Sequence, residues 1–580
     1  MAKQAEEMYV EERADYLTES SLKQRTAMND YFSSIRKVLL DKGTKLIVGP
    51  RGCGKTHLMR YSWIECKTDK SKPLAIYVSF NKYFRLEPLL KSKPNATSIF
   101  NAWVLAKILL SAYESLGSTS ISQSQLSDIL ITSKRNLESI ISKLELQIVP
   151  KDELYDIYLE LSVTNVVRSI EQLCYYMERK RVVILLDDAA ISLTPEYLYE
   201  FFDIVRSLKT SKISLKASVY PGTTEYGPNF HVDHEAERIM AWLDVRNPSY
   251  EEVMENIGIN HVEGYESIPD GVRSLLKYAS FGIPRSYLTM LRSYLSGKNL
   301  KGQQKLNKIL TDHCLLRMHE YSSLKTKMPK YSSIINTGAK IFDLIIDYVA
   351  EANRKLIEKN DKSNQFLIGV QEEKNSKFSR MIQLLVEVGL LYPLSQVKHG
   401  KNEDGTDRYY DRYMVHLSFL INAKAFSTVD KKTSSSESTV EFIRLKQTHH
   451  PVRRNITKLF SDAGLSVESD LAWVLPPCSN CNAQRLSDNQ RFCHECGSRI
   501  VDNSTFQQCM LIKLVDLPNL SPFFVTSLSK LKNQFDVETI GDFVSLQDPG
   551  SNLRSLHRIG IKRAQKVIGD VDRYVDEFLS

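Results

Sequence analysis

Between residues 45 and 245, short apolar runs alternate with stretches of helical pattern. Leu46-Ile47-Val48, Ala75-Ile76-Tyr77-Val78-Ser79-Phe80, Val182-Val183-Ile184-Leu185-Leu186 and Ile213 to Tyr220 have the length and apolar, often β-branched content of buried strands. Ile239 to Val245 is a weaker fifth run. Strands separated by helices predict a parallel α/β sheet. Residues 1–40 read as polar and amphipathic helix, and 250–330 as mainly helical. Further on, Lys340 to Val349 is strongly amphipathic, and Ser376 to Leu391 carries apolar residues at helical spacing. Tyr392-Pro393-Leu394, a polar loop and Arg408 to Leu420 then read as a hairpin. The Ser- and Lys-rich stretch VDKKTSSSEST marks a linker, a cysteine cluster follows, and a small helical unit runs from about 510 to 580.

Composition narrows the class. At 580 residues the chain is long enough for about four domains. Apolar residues at 42% and charged residues at 25% exclude a collagen-like, fully disordered or multi-span membrane protein. No uncharged apolar run reaches the roughly 18 residues of a membrane span. The opening MAKQAEEMYVEERADY is charged throughout and has no apolar secretory core, so a cytoplasmic location is expected. Lys plus Arg number 77 against 69 acids, and the net charge of +8 permits a polyanion partner without requiring one. Of nine cysteines, Cys53, Cys66, Cys174, Cys314 and Cys509 are scattered and read as small apolar residues.

The residues Gly49-Pro50-Arg51-Gly52-Cys53-Gly54-Lys55-Thr56 fit G-x-x-x-x-G-K-[ST] in full, after an apolar strand and before a helix that opens at His57. Glycines let backbone N–H groups approach phosphates, and the helix N-terminus adds a positive dipole end. Lys55 is expected to reach the β- and γ-phosphates and Thr56 to ligate Mg²⁺. The strand Val182 to Leu186 ends in Asp187-Asp188. Asp187 is the expected Mg²⁺ partner, and Asp188 the group that orients or activates the attacking water. No N-K-x-D guanine-type motif is present, which favours ATP over GTP.

The strand order, the phosphate loop, the Asp-Asp strand and a later Gly282-Ile283-Pro284-Arg285 resemble the AAA+ superfamily. The resemblance is nearest to its origin-recognition-like branch, with the STAND signalling ATPases as neighbours. It covers roughly residues 20–425. It implies that Thr223 or Thr224, after the fourth strand, serves as sensor 1, and that Arg285 is the sensor 2 arginine of a helical lid. It also implies ATP-promoted self-association, with an arginine supplied to the neighbouring site. Arg206, Arg238 and Arg246 are the candidates. Where many relatives have Asp-Glu, this chain has Asp187-Asp188, and the shorter second acid implies slow turnover.

A winged helix follows the lid in that branch. Lys377 and Arg380 would open its recognition helix, and Lys398, Lys401, Arg408 and Arg412 would decorate its wing. Cys478-x₂-Cys481-x₁₁-Cys493-x₂-Cys496 has the spacing of a structural zinc ribbon, two thiolate pairs closing a tetrahedron around Zn²⁺ with no open position. Val537 to Phe543 and Leu556 to Ala564 resemble paired helix-hairpin-helix units, in which Gly560, Lys562, Arg563 and Lys566 would meet a DNA phosphate, although Arg558 replaces the usual first glycine.

The expected organisation is therefore a P-loop parallel α/β ATPase core over 1–248, a helical lid over 249–330 and a winged helix over 331–427. A linker over 428–470, a zinc ribbon over 471–505 and a helix-hairpin-helix-like domain over 506–580 complete it. The expected cofactors are ATP, Mg²⁺ and Zn²⁺. The leading reading is an ATPase that binds DNA through its C-terminal modules and oligomerises with ATP, with no membrane partner. The alternatives are a STAND-like signalling ATPase of anti-phage defence acting on a separate effector protein, and a replication or transposition loader.

Overall fold

A computed structural model of the chain describes residues 14, 17–80, 83–116, 121–188, 194–297, 302–372, 374–402, 405–426, 436–448, 452–478, 480–487, 490, 492–498, 500, 505–517, 522–546, 548–557 and 559–579. Strands β1 (Lys45–Val48), β2 (Leu74–Ser79), β3 (Val182–Asp187), β4 (Ile213–Val219) and β5 (Glu237–Met240) form one wholly parallel sheet in the order β2-β3-β4-β1-β5. Alternate side chains go to opposite faces, and both faces are covered. Leu46, Val48, Ile76, Val78, Ile184 and Leu186 pack with the helix Ala96–Glu114. Ile47, Ala75, Val183 and Leu185 pack with the helices Asp30–Leu39 and Lys55–Thr68.

Ala96–Glu114 is long and apolar enough to cross a membrane, yet Ile99, Phe100, Trp103, Ile108 and Leu109 are all buried against protein. It is apolar because nearly every face of it is packed.

Strand β4 alternates Ile213, Leu215, Ala217 with Ser214, Lys216, Ser218, a pattern that in an antiparallel sheet would mark one wet face. Here all seven residues are buried, and the polar ones have internal partners, as buried polar groups require. Ser214 Oγ accepts the Gly43 N–H at 3.2 Å, Lys216 Nζ donates to Asp41 O and Gly43 O at 2.7 and 2.5 Å, and Ser218 Oγ accepts the Asp188 N–H at 2.9 Å. Burial pushes the Lys216 pKa down to about 7.

Glu87 is buried beside the start of the helix Pro195–Leu208, where Oε1 accepts the Thr194 N–H at 3.1 Å. Burial pushes its pKa up to about 8, with the Thr194 hydrogen bond opposing and Glu196 adding. The neutral acid therefore contributes stability that is complete below the ordinary value of 4.5 and is lost as pH rises through 8. That loss is on the order of 5 kcal/mol. Glu87→Gln keeps the acceptor and removes the titration. It is expected to match the wild type at pH 5 and exceed it at pH 8 in urea melts; parallel pH profiles for the two proteins would refute the assignment.

After the sheet come the helices Tyr250–His261, Asp270–Ala279, Pro284–Ser296 and Gly302–Lys327, then the long Ser332–Glu358. Strands β6 (Ser363–Asn364) and β7 (Leu367–Gln371) precede the helix Ser376–Glu387, and β8 (Leu391–Lys401) and β9 (Asp407–Val415) form a hairpin. β7 pairs antiparallel with β9. Residues 436–470, which composition marks as linker, are built into this unit. The helix Ser436–Arg444 buries Val440 and Ile443, β10 (Lys446–Gln447) pairs with β6, and β11 (Val452–Arg454) adds a parallel edge to β7. Leu459 and Phe460 of the helix Ile456–Asp462 complete the same core. The Ser/Lys run hides an apolar spacing at Val440 and Ile443 that helix packing exploits; residues 427–435 lie outside the described ones.

The C-terminal unit comprises the helices Thr505–Met510, Pro522–Phe535, Ile540–Val544, Pro549–Ser555 and Ile561–Leu579. Thr539 and Asp542 form a reciprocal capping box at the third of these. The last helix reaches back to the sheet domain, where Arg85 Nη2 meets Asp572 Oδ1 at 3.4 Å.

Candidate nucleotide site and metal centre

The phosphate loop leaves β1 at Val48 and ends where the helix Lys55–Thr68 begins. Gly52 and Gly54 have φ of 84° and 98°, a left-handed backbone that a side chain would strain. Close approach matters equally at Gly52, where an added Cβ would lie 2.8 Å from Cβ of Arg285. Gly54 occupies the N-cap and gives the helix no side-chain cap, so the first-turn N–H groups are left for an anion. Lys55 Nζ is folded onto its own loop, donating to Gly49 O at 2.6 Å and Pro50 O at 3.3 Å, and stands 4.2 Å from the centre of the Tyr220 ring. Burial works against its charge, but Tyr220, Cys53, Asp187 and Asp188 outweigh it and hold its pKa above the ordinary lysine value.

The acids come from the end of β3. Asp187 is buried, and its Oδ2 accepts the Tyr77 hydroxyl at 2.9 Å. Asp188 sits at φ 52°, a left-handed position that a short polar side chain tolerates, and its N–H is held by Ser218 of β4. The interposed strand β4 thus sets the spacing between the loop and the two acids.

A cleft of about 1050 Å³ opens above these groups, lined by residues 50–58, Asp188, Tyr220 and Arg285. At one end His57 Nε2 and Thr26 Oγ1 are 2.8 Å apart. Burial, then His261 and Arg60, push the His57 pKa down to about 4, so the ring is neutral at pH 7. The residues fit a nucleoside triphosphate. The loop presents N–H groups and Lys55, and Nη2 of Arg51 is buried with no hydrogen-bond partner among the described residues, which suits an anion between them.

Residues 7–241 match the model of the ORC-CDC6-like family. This chain resembles the origin-recognition-like AAA+ ATPases. No curated protein matches it. Among solved structures, the ORC1 protein of Aeropyrum pernix in complex with DNA is similar at 12% identity and a TM-score of 0.29, over 70% of this chain and 95% of that one.

Arg285, expected to be the arginine of a helical lid, opens the helix Pro284–Ser296 directly over the loop, with its N–H donating to Gly52 O at 3.3 Å. The two threonines expected to include a sensor 1 residue are engaged elsewhere. Thr224 Oγ1 accepts the Tyr220 N–H at 3.0 Å, closing the turn. Thr223 Oγ1 donates to Glu387 Oε1 at 3.1 Å, and Glu387 Oε2 also accepts the Gly222 N–H at 2.8 Å. The residue that β4 delivers to the cleft is Tyr220. Among the candidate trans-acting arginines, Arg246 is held by Asp244 in a two-pronged ion pair at 2.6 to 3.2 Å. Arg206 reaches Asn229 O at 3.3 Å, and Arg238 pairs with Asp233 at 3.5 Å.

The helix Ser376–Glu387 is docked onto the turn that follows β4. Arg380 Nη1 donates to Gly222 O at 2.5 Å, its guanidinium lies 5.8 Å from the Tyr331 ring centre, and Lys377 lies 5.9 Å from that of Trp473. An added Cβ at Gly222 would strike Leu384 at 2.8 Å. Both cations expected to meet DNA therefore face protein here. On the hairpin, Lys398 pairs with Asp407 at 2.7 Å, Arg408 and Arg412 bond strand carbonyls, and Lys401 is exposed. Lys562, Arg563 and Lys566 share an exposed stretch at the start of Ile561–Leu579, after Gly560; Arg558 lies outside the described residues.

The four cluster cysteines converge. All four Sγ atoms lie within 4.8 Å of one another, with Cys478–Cys496 at 3.6 Å and Cys481–Cys493 at 3.5 Å. Zn–S bonds of about 2.3 Å in a tetrahedron give S···S edges of about 3.8 Å, so the donor set fits Zn²⁺. Two similar turns hold the pairs: Asn482 N–H donates to Cys478 O, and Gly497 N–H to Cys493 O. Asn480 Nδ2 to Ser498 Oγ at 3.0 Å ties one turn to the other.

Several of these groups carry no motif. Tyr77 and Glu387 meet the site only through strand register and helix docking. The signal that sequence did offer was Ser218, a polar residue in a run otherwise destined for a buried strand.

Proposed function

We propose that this chain is an ATP-dependent switch protein that binds and hydrolyses ATP and binds DNA through its C-terminal half. The reading rests chiefly on the complete phosphate-loop site lying inside the segment that matches the ORC-CDC6-like family. Lys55 and the loop N–H groups would hold the phosphates. Thr56 and Asp187 would hold Mg²⁺, which neutralises phosphate charge when bound. Asp188 would orient the attacking water, and Arg285 would report nucleotide to the lid. ATP would promote self-association, for which exposed Arg206 and Arg238 are better placed than Arg246, whose charge Asp244 already occupies.

The helix–strand–helix–hairpin unit over 332–422 would act as a winged helix, the cysteine unit as a zinc ribbon, and the last helices as a phosphate-contacting module. Weak DNA contacts spread over one chain reinforce one another through effective concentration. Because Arg380 and Glu387 clasp the turn at 222–223 beside the nucleotide cleft, DNA contact by that helix face requires it to leave the core. Nucleotide state would govern that release.

The test is anisotropy of a labelled duplex with the full chain, with and without ATP, at two salt concentrations. The expected result is ATP-gated binding that weakens steeply with salt. No binding under any of these conditions would overturn the DNA reading and favour a signalling ATPase acting on an effector protein.

A further inference from the structure

The sheet β11-β7-β9-β8 divides its charges between its two faces. Residues paired across neighbouring strands share a face. Arg453 pairs with Gly369 of β7, Gly369 with Arg412 of β9, and Gln371 with Tyr410. Arg408 joins them on that face by the period of two along β9. The alternate positions, Asp407, Asp411 and Tyr413, take the other face with Ile368 and Val370. On that side Arg454 lies 4.0 Å from the Tyr348 ring centre of the helix Ser332–Glu358, and Lys398 pairs with Asp407 at 2.7 Å. The arginine face has no such counterions. Tyr410 stands at its middle, with the Arg408 and Arg453 guanidiniums each 5.9 Å from its ring centre, within cation–π range. Gly369 lets these groups close in, since an added Cβ there would lie 3.2 Å from Arg453 Cγ and 3.6 Å from Tyr410 Cβ. Arg408 Nε donates to His399 O at 3.2 Å, and Arg412 donates to Ser395 O and Oγ, both at 2.9 Å. Those acceptors are neutral. Among the described residues none of the three arginines has a carboxylate partner, and all three are partly exposed.

We propose that this face binds the phosphate backbone of double-stranded DNA, with Arg408, Arg412 and Arg453 as the contacts. The inference rests on the DNA reading above and puts the contact on the sheet rather than on the helix Ser376–Glu387, whose Lys377 and Arg380 face protein. Arg408 and Arg412 are separated by about 13 Å along β9, and Arg453 lies two strands from Arg412, about 10 Å away. A duplex carries one charge per about 1.7 Å of its axis, so a single rigid ligand meets all three sites. An acidic peptide would first have to order several carboxylates to do the same. The guanidinium fork suits a phosphate, which it can grip by two parallel N–H bonds. Contacts with carbonyls and a ring hold the guanidiniums in place before the ligand arrives, which lowers the cost of ordering them, yet leave their charge uncompensated. Arg453 reaches this face only because β11, from a stretch that composition marks as linker, pairs with β7.

Anisotropy of a labelled duplex of mixed sequence, with the full chain and MgATP over a series of salt concentrations, tests this. Arg453→Gln, Arg408→Gln and Arg453→Lys are compared with the wild type, and melting temperatures check that each variant folds. Loss of one charge-assisted phosphate contact predicts roughly tenfold weaker binding for either glutamine variant. The loss should be equal for duplexes of different sequence, and the slope of log affinity on log salt should become shallower by about 1. Arg453→Lys should keep the wild-type slope and lose only part of the affinity, because the charge stays and the fork goes. Should Arg453→Gln fail to fold, Arg408→Gln carries the same two readouts. Tighter binding of polyglutamate than of the duplex, lost in the same variants, would overturn DNA as the ligand in favour of an acidic protein. Wild-type affinity and slope in both glutamine variants, with the wild type binding the duplex, would overturn this inference alone. No duplex binding by the wild type at any salt concentration would overturn the DNA reading with it.

Discussion

Lys55→Ala is expected to abolish ATP hydrolysis and weaken nucleotide binding. The ammonium is already in the loop, bonded to Gly49 O and Pro50 O and held charged by the Tyr220 ring and the acid pair. It has only to turn from two carbonyls to a phosphate. Removing one preorganised group that stabilises developing charge costs about 10²- to 10³-fold in turnover. Asp188→Asn should behave differently: its N–H stays on Ser218 and the loop is untouched, so ATP binds while hydrolysis slows. Steady-state phosphate release and equilibrium binding of a fluorescent ATP analogue separate the two. Wild-type turnover in Lys55→Ala would end the ATPase reading. Wild-type turnover in Asp188→Asn would make that residue structural and move the catalytic acid elsewhere.

The second large effect concerns the thiolate cluster. The purified, reduced chain is expected to carry about one Zn²⁺, by the four-sulfur tetrahedron. Cys493→Ser should release it and unfold only the region near 476–500. Within 472–498 no described residue lies in a helix or a strand longer than a bridge, and Phe492 is 61% exposed. Turns tied by Asn480–Ser498 and a few backbone bonds give this segment little core of its own. Metal binding to such a unit is its folding free energy, about 10–16 kcal/mol for structural zinc. Among the described residues, the cores of the five-stranded sheet include none of these cysteines. Elemental analysis of wild type and variant, with protease mapping of 476–500, is the measurement. A metal-free wild type, or a variant that melts throughout, would refute the modular reading.

What the sequence determined by itself were the features carried by local chemistry. The phosphate loop needs glycines at Gly52 and Gly54 because their backbone is left-handed, and a lysine and hydroxyl at fixed offsets; such demands are written in consecutive residues. The CxxC pairs are equally local, since each is one turn. The apolar runs at Leu46, Ala75 and Val182 announced β1 to β3, because a strand covered on both faces is largely apolar along its length, whereas the fifth run, Ile239 to Val245, meets β5 (Glu237–Met240) only at Ile239 and Met240. Tertiary structure alone decided the rest. Ser214, Lys216 and Ser218 look like a wet face until β4 is placed at the centre of the sheet, where their partners are Gly43, Asp41 and Asp188. Thr223 reads as a sensor until Glu387, 164 residues later, takes its hydroxyl. Lys377 and Arg380 read as DNA contacts until the docked helix turns them onto Trp473 and Gly222. Residues 436–470 read as linker because serine and lysine dominate the start of that stretch, while Val440, Ile443 and β11 find cores supplied by segments more than sixty residues away. Periodicity and motif spacing report what a residue's near neighbours require. A side chain's final partner is set by which distant surface buries it, because burial imposes the cost of an unmade hydrogen bond or an unpaired charge.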